Sequence, residues 1–258
     1  MPRHPYAVYW QPGCTSCLKA KEFLTRHAID FESINVRATP NAVERLAALG
    51  ARSVPVIARG GEWVYAQDLD AVARFIGVRE DRERLPSATL IARLERLLAA
   101  TSRHTAQLPQ STLERLLPGR ADRAGADLAW HVPMIVAGFL DAAAGGALSY
   151  DYFERRPRPE ERLPAALIAA QQGAALALDT WWRLHLNRMP ATVGTYYGLQ
   201  PFAAVLERTA WHVAQHARQL ESLVELAGIE PNGRLGALEL GGLPLPEGLW
   251  DPEVRPLD

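Results

Sequence analysis

Leu206-Glu-Arg-Thr-Ala-Trp-His-Val-Ala-Gln-His-Ala-Arg-Gln-Leu220 contains no glycine and no proline. In and around it, Phe202, Val205, Leu206, Thr209, Val213, Leu220, Leu223 and Val224 recur at three- and four-residue steps. That period predicts a helix with one apolar face. His212 and His216 are four residues apart, so their rings lie one above the other on a single face. His216 falls on the apolar stripe, and His212 at its edge. Two imidazoles at this spacing, turned into a helical core, make half of a metal site. Two core histidines bonded to backbone or to carboxylates would show the same spacing. A third imidazole, His131, stands on the apolar face of its own predicted helix, within Asp127-Leu-Ala-Trp-His-Val132. Three neutral histidines from two helices can hold a divalent metal and leave a coordination position open.

Working outward, the chain beyond residue 88 reads as long helices with no strand signal. A helix is predicted over 89–107, with Leu90, Ile91, Leu94, Leu97 and Leu98 as its stripe and Pro109 beyond its end. A second spans about 121–144, with Leu128, His131, Ile135 and Phe139 inward. Pro133 should kink it or mark a late start. Residues 154–162 read as an exposed loop. A third helix covers 164–186 and carries Trp181-Trp182 near its end, and 187–194 is turn-prone. Four helices joined by mixed loops predict an all-α four-helix bundle over 89–228, which places a cofactor site between facing helices. His27, His104 and His185 read as surface residues, His185 with a weaker claim to be a fourth ligand. Residues 229–258 form an extended C-terminal tail, and Leu243-Pro-Leu-Pro-Glu-Gly-Leu-Trp250 is apolar enough to lie along the bundle.

Residues 1–78 have a different character. Strand, helix, strand, helix, strand, strand, helix follow in order, an α/β domain. The first strand leads into Gln11-Pro-Gly-Cys-Thr-Ser-Cys17, and Gly60-Gly61 makes a hairpin turn. Cys14 at a helix start faces free N–H groups and the positive end of the dipole, which favours its thiolate. Cys17, one turn further in, is suited to resolve a mixed disulfide. An inert structural pair, or half of a metal site, is the other account of these residues, the only two cysteines. The charge-dense stretch 79–88 is a solvated linker.

Composition bounds the function classes. A chain of 258 residues suggests roughly two domains. A net charge of -1 with mixed signs lacks the basic face that nucleic acid needs. The N-terminus lacks the apolar core of a secretion signal. The apolar run 163–178 is broken by Gln171, Gln172 and Gly173, so no membrane span is expected. A cytoplasmic protein with one Cys-x-x-Cys is the economical reading.

The element order, with Cys14-Thr-Ser-Cys17 and Ser53-Val54-Pro55, resembles the thioredoxin-like fold and, within it, the glutaredoxins. The resemblance implies a cis Pro55 lying against the cysteine pair. It also implies a thiol-binding surface made of Val54, Pro55, Gln67 and Asp68. Two departures are visible: Gln11 stands where many glutaredoxins carry lysine, and the family's double glycine pair is reduced to Gly60-Gly61. Residues 86–228 resemble the DinB-like four-helix metalloproteins through Leu-Ala-Trp-His131, Thr-Tyr-Tyr-Gly-Leu-Gln200 and Leu-Glu-Arg-Thr-Ala-Trp-His-Val-Ala-Gln-His216. That family includes thiol S-transferases and isomerases. The resemblance implies a divalent metal on His131, His212 and His216, zinc first and nickel or iron as alternatives. It implies a low-molecular-weight thiol such as glutathione as cosubstrate. Tyr197, Gln200 and Gln215 would line or back the pocket. The expected activity joins thiol–disulfide exchange to metal-assisted thiol transfer, acting on a small electrophile or a protein disulfide. A plain disulfide reductase whose bundle docks a partner or makes a homodimer remains an alternative, as does a non-catalytic metal or redox sensor.

Overall fold

The computed structural model describes residues 5–80, 82–186 and 188–254. Residues 1–4, read above for a secretion signal, lie outside them. So do Asp81 of the linker, Asn187 of the turn-prone segment and residues 255–258 of the tail. The chain divides into two compact units. One runs to Glu83 and takes in the chain again from Pro246; the other is Arg84–Leu245.

In the first unit β1 (Tyr6–Trp10), α1 (Thr15–Arg26), β2 (Phe31–Asn35), α2 (Ala42–Ala48), β3 (Val56–Arg59), β4 (Glu62–Tyr65) and α3 (Leu69–Ile76) follow in order. The sheet order is β2-β1-β3-β4. β1 and β2 are parallel, and β3 and β4 are antiparallel to their neighbours. Period-two alternation covers both faces. Tyr6, Val8 and Ile57 pack with Phe23, Leu24, Val72 and Ile76 on one side. Tyr9, Val56 and Ala58 pack with Cys17, Ile34, Leu46 and Val54 on the other. Asp68 caps α3 by accepting the N–H groups of Asp70 and Ala71. This is the thioredoxin-like arrangement.

The linker and tail are less free than their composition suggests. Glu80 pairs with Arg26 and Arg84 with Glu207. A short helix, Ala237–Leu240, interrupts the segment read as extended, and Arg93 donates to the carbonyls of Ala237 and Leu238. Residues 246–254 belong instead to the first unit. There the buried Lys21 pairs with Asp251 at 2.6 Å and Glu253 at 2.8 Å, and Glu22 accepts the N–H groups of Glu247 and Gly248.

The second unit comprises α4 (Ser87–Gln107), α5 (Gln110–Glu114), α6 (Gly125–Ala143), β5 (Ala147–Leu148), α7 (Asp151–Glu154), a 3-10 turn (Pro159–Arg162), α8 (Pro164–His185), β6 (Thr192–Thr195), β7 (Gly198–Pro201), α9 (Phe202–Leu226) and α10 (Ala237–Leu240). α4 packs on α8 and α9, and α6 packs on the same two, which makes a four-helix bundle. Leu90, Ile91, Leu94, Leu97 and Leu98 are all buried in it. No helix among the described residues is long and apolar enough to cross a membrane.

Four expectations need correction. First, α6 starts at Gly125 rather than about 121 and continues through Pro133, so the proline does not mark its start. Proline has no N–H, so the carbonyl of Ala129 four residues back loses its helical donor. The fully buried Gln171 of α8 supplies one instead, its Nε2 lying 3.0 Å from that oxygen. An unsatisfied buried carbonyl would cost about 1–3 kcal/mol, so Gln171 makes the proline tolerable beside His131. Second, strands exist here: β5, β6 and β7 form a small sheet in that order. Short strands carrying Gly194 and Gly198 give almost no periodic signal. Third, residues 154–162 are not simply an exposed loop, because Arg162 reaches the buried Asp127 at 2.7 Å.

Fourth, His104 is not a surface residue but fully buried on α4, with Glu221 of α9 at 3.8 Å. Burial pushes its pKa below the ordinary imidazole value, with Glu221 only partly opposing. A group whose folded pKa is depressed adds stability above its unfolded pKa, near 6.5, and loses it as pH falls through the folded value. Bundle stability should therefore fall on acidification below about pH 6.5, with His104 contributing up to about 1.4 kcal/mol per pH unit. Urea unfolding of wild type and His104→Leu between pH 7 and 5 checks this. The variant should show the shallower pH dependence; parallel curves would refute the assignment.

Candidate functional site

The dithiol grows out of β1. Gln11-Pro12-Gly13 turns the chain, with Gly13 at φ +71°, and Cys14 becomes the N-cap of α1. Cys14 Sγ accepts the N–H of Cys17 at 3.2 Å. The two sulfurs are joined as a disulfide, with Cα atoms 5.2 Å apart. Cys17 is fully buried and Cys14 half-exposed. On reduction, the N–H that now faces Cys14 Sγ stabilises a thiolate there, and only that sulfur meets solvent. Val54 shares a core cluster with Cys17, Cys14 packs against the same cluster, and the Val54–Pro55 bond is cis. Gln67 donates to Val54 O at 2.9 Å, while Asp68 serves as the α3 cap. Both thus hold the framework on which Pro55 sits. Arg37 donates to Gln11 at 3.2 Å and brings a guanidinium to the position where lysine was missed.

The three histidines meet in the bundle. His131 comes from α6, and His212 and His216 from α9. One nitrogen from each ring lies within 4.8 Å of the other two. A zinc ion bound at about 2.1 Å to each would set the nitrogens about 3.4 Å apart, so the rings need close by no more than about 1.5 Å. His212 and His216 are buried, and His131 is half-buried and meets solvent. Each ring has a buried nitrogen with no hydrogen-bond partner: Nδ1 of His131, Nδ1 of His212 and Nε2 of His216. Buried polar atoms are normally satisfied, so a cluster in which each of three rings leaves a nitrogen unpartnered suits a shared cation. The other nitrogen of His216, Nδ1, lies 2.7 Å from Gln219 Oε1. An Nδ1–H donated there fixes the tautomer and leaves Nε2 with its lone pair inward.

The electrostatics keep the rings neutral. Burial pushes His131 and His212 well below the usual imidazole range, and the other imidazoles and nearby arginines add to it. Burial lowers His216 to about 4 against the opposing bond to Gln219. Neutral imidazole is the form that binds metal.

Aromatic side chains shelter the cluster. Phe153 of α7 lies 5.6 Å from His131 and 5.8 Å from His212, centroid to centroid. Tyr196 of the β6–β7 turn packs on Phe153, and Tyr197 packs on Tyr196. Gly138 lets α7 come this close, because a Cβ there would lie 2.7 Å from Leu148 Cδ1 and 3.1 Å from Tyr152. Tyr197 is buried beneath the Arg208 guanidinium. Gln200 sits half-buried on β7 opposite Val193. Gln215 is fully buried and accepts from Arg218 at 2.7 Å. His185 stacks on Trp181 and bonds to its carbonyl, which gives it a role as a helix-end residue.

Sequence reading passed over Phe153, Gln219, Arg123 and Arg208. Arg208 stands four residues before His212, and Gln219 three after His216, so helical spacing carried a signal for both. Phe153, on the four-residue α7, and Arg123, just before α6, lie outside any periodic stretch and carry none.

A twisted mixed sheet, a Cys-x-x-Cys at a helix N-terminus and a cis-proline in the same core define a thioredoxin-fold thiol–disulfide domain. A family model described as glutaredoxin matches residues 7–64. The glutaredoxin-like protein NrdH of Lactococcus lactis subsp. lactis is 36% identical over 52 residues, 20% of this chain and 72% of that protein. Its counterpart in Escherichia coli K12 is 38% identical over 53 residues, 20% of this chain and 65% of its own. Gene 56 protein of Mycobacterium phage L5 is 41% identical over 54 residues, again 20% of this chain, and the chain spans about half of that relative (52%). Through its first unit the chain belongs to the glutaredoxin family. No solved structure matches it significantly.

Proposed function

We propose that the protein handles thiols at two sites, a dithiol in the first unit and a metal centre in the bundle. At the first, the Cys14 thiolate attacks one sulfur of a substrate disulfide and expels the other half as a thiolate. Cys17 then attacks Cys14 Sγ and releases the second thiolate. Two electrons pass to the substrate, and the Cys14–Cys17 disulfide is what remains. Two equivalents of a low-molecular-weight thiol such as glutathione restore the dithiol and leave as their disulfide. Val54, Pro55, Gln67 and Asp68 present the surface against which that thiol lies.

At the second site His131, His212 and His216 are the ligands, with Gln219 orienting His216. A divalent ion held there, zinc by its affinity for imidazole and nickel or iron otherwise, supplies the Lewis acidity that brings a bound thiol or water towards a neutral pKa. Phe153, Tyr196 and Tyr197 keep bulk water from the rings, and Gln215 backs them from within α9. The substrate is a small electrophile, the chain works in the cytoplasm, and the bundle offers a face for a homodimer. The observation that carries this reading is the convergence of three imidazoles that bring one nitrogen each within 4.8 Å of the others. Protein purified without chelator should contain about one divalent metal per chain by elemental analysis, and His212→Ala should contain almost none. Metal-free wild type would end the proposal.

A plain disulfide reductase is the second reading, favoured by the confinement of the family match to residues 7–64. It requires that no reaction of the protein respond to loss of the histidines.

A further inference from the structure

Of the bundle's long helices, α8 is the least covered. Only Leu167, Gln171, Leu178 and Trp181 of its 22 residues are buried, against 18 of the 25 in α9. A surface helix normally turns an apolar stripe to its partners and charge to water. The outward side of α8 departs from that. Its exposed positions between 165 and 180 are alanine, glutamine, glycine, leucine and threonine, with no charge among them. The nearest charges, Asp179 and Arg183, already pair with each other at 2.8 Å. Leu176 is 68% exposed and Leu184 72%. Between α8 and α4 runs a groove of about 490 Å³, lined by Leu98, Ala99 and Ala106 of α4 and by Ile168 and Ala175 of α8. Glu95 and Arg103 stand on its α4 wall. Single exposed leucines are ordinary, but an uncharged helix face beside an apolar groove marks an interaction surface.

The charges on α4 indicate what covers it. Glu95 makes no ion pair among the described residues. Arg103 donates to the carbonyls of Asn232 and Gly233, and no carboxylate pairs with it among the described residues. Ala99 lies midway, four residues from each, with Ala92 and Ala106 seven residues to either side. At 3.6 residues per turn, all five point within about 40° of one direction. A two-fold axis crossing α4 at Ala99 lays the helix antiparallel on its own copy. Glu95 of each copy then stands at the level of Arg103 of the other, and Ala92 at the level of Ala106. Arg96, at the edge of this row, meets Ser102, so no like charges face each other. A lone acid and a lone base equidistant from one centre are what a self-complementary surface requires. Size agrees as well. Helices of 21 and 22 residues side by side present a face about 32 Å long and about 20 Å wide. That footprint, about 600 Å² per copy, reaches the range of stable pairs, about 600–1,000 Å² a side. We propose that the α4–α8 face is where two copies of this chain pair, antiparallel about Ala99. This gives the homodimer of the proposed function its surface, and it rests on no part of the metal or thiol chemistry.

Sedimentation velocity of the full chain, across a concentration series in the micromolar range, tests it. Wild type should run as a dimer. Leu176→Glu places an unpaired carboxylate in the contact, and Glu95→Arg sets arginine against arginine twice. Each should weaken pairing by at least about tenfold. Leu176 is solvent-exposed and Glu95 unpaired, so both variants should keep the fold, which circular dichroism checks. Leu199→Glu, at a leucine on β7 that is 70% exposed, should leave pairing unchanged. A wild type that stays monomeric overturns both this face and the homodimer itself. A dimer indifferent to Leu176→Glu, or weakened equally by Leu199→Glu, overturns this face and leaves the homodimer standing. A dimer that yields to Leu176→Glu but not to Glu95→Arg overturns the antiparallel pairing about Ala99. Elemental analysis of the same samples decides the metal reading separately.

Discussion

Cys14→Ser is expected to abolish disulfide exchange, and Cys17→Ser to leave the first half-reaction intact. The asymmetry follows from where α1 puts the two sulfurs. Cys14 is the N-cap, half-exposed, with the Cys17 N–H 3.2 Å from its sulfur. Cys17 is fully buried within the Tyr9, Trp10 and Ile34 cluster. Only Cys14 can meet an incoming disulfide, and only Cys17 is close enough to release what Cys14 has caught. Serine at 14 removes the nucleophile, so turnover should fall by at least about three orders of magnitude, the scale for losing a covalent nucleophile. With serine at 17 the Cys14 thiolate still attacks but has no resolving partner. Mass spectrometry of that variant incubated with oxidised glutathione should show an adduct of one glutathione on Cys14. Residual exchange in Cys14→Ser close to wild type, or an adduct on Cys17 in preference to Cys14, would remove the assignment. His212→Ala should leave this exchange unchanged, which separates the dithiol from the bundle.

Much of this site was legible because it is local. A strand, a turn, a helix start and a Ser-Val-Pro loop lie within about fifty residues, and each has its own signal: alternation, glycine and proline, cysteine spacing. The bundle was legible as far as its helices, whose stripes at Leu90–Leu98 and Val205–Val224 repeat on period. What could not be read is what tertiary contact decides. His104 looks like any polar helix residue until α9 and the Gly233 backbone close over it. Pro133 looks like a break because the compensating donor, Gln171, lies 38 positions later in another helix. Strands of two to four residues across β5–β7 are too short to show a period, so Tyr197 of the aromatic cover was reached only through the family resemblance and Phe153 went unseen. Arg123 and Arg208 were passed over for the opposite reason: arginine is ordinarily a surface residue, and sequence does not say when it is buried.

Removing a bound metal should destabilise the bundle far more than the thiol domain. The three converging imidazoles sit on α6 and α9, two helices that pack directly. A shared ion ties them; without it, three buried acceptors lose the water they would have in the unfolded chain. An ion present at a thousand times its dissociation constant adds about 4 kcal/mol to stability. For a unit of this size that corresponds to an unfolding temperature higher by about 8–16 °C. Acid should erase the difference. The imidazoles must be neutral to bind, and in the unfolded chain they take up protons near pH 6.5. His216 is held neutral to about 4 in the folded protein. Proton uptake by the unfolded state thus draws stability down as pH falls below about 6.5, in metal-bound and metal-free protein alike. Once folded chains also protonate, the ion is released and the two curves merge. Differential scanning calorimetry of chelator-treated and metal-reconstituted protein at pH 7.5 and pH 3, below the folded value of His216, reads both effects. The expected record is a two-peak scan in which only the bundle transition moves with metal, and moves at pH 7.5 alone. His216→Leu should behave as chelated wild type at pH 7.5 yet keep more of its stability at pH 3, because it has one fewer buried base to protonate. A metal-dependent shift that survives in His216→Leu would mean that the ion binds elsewhere.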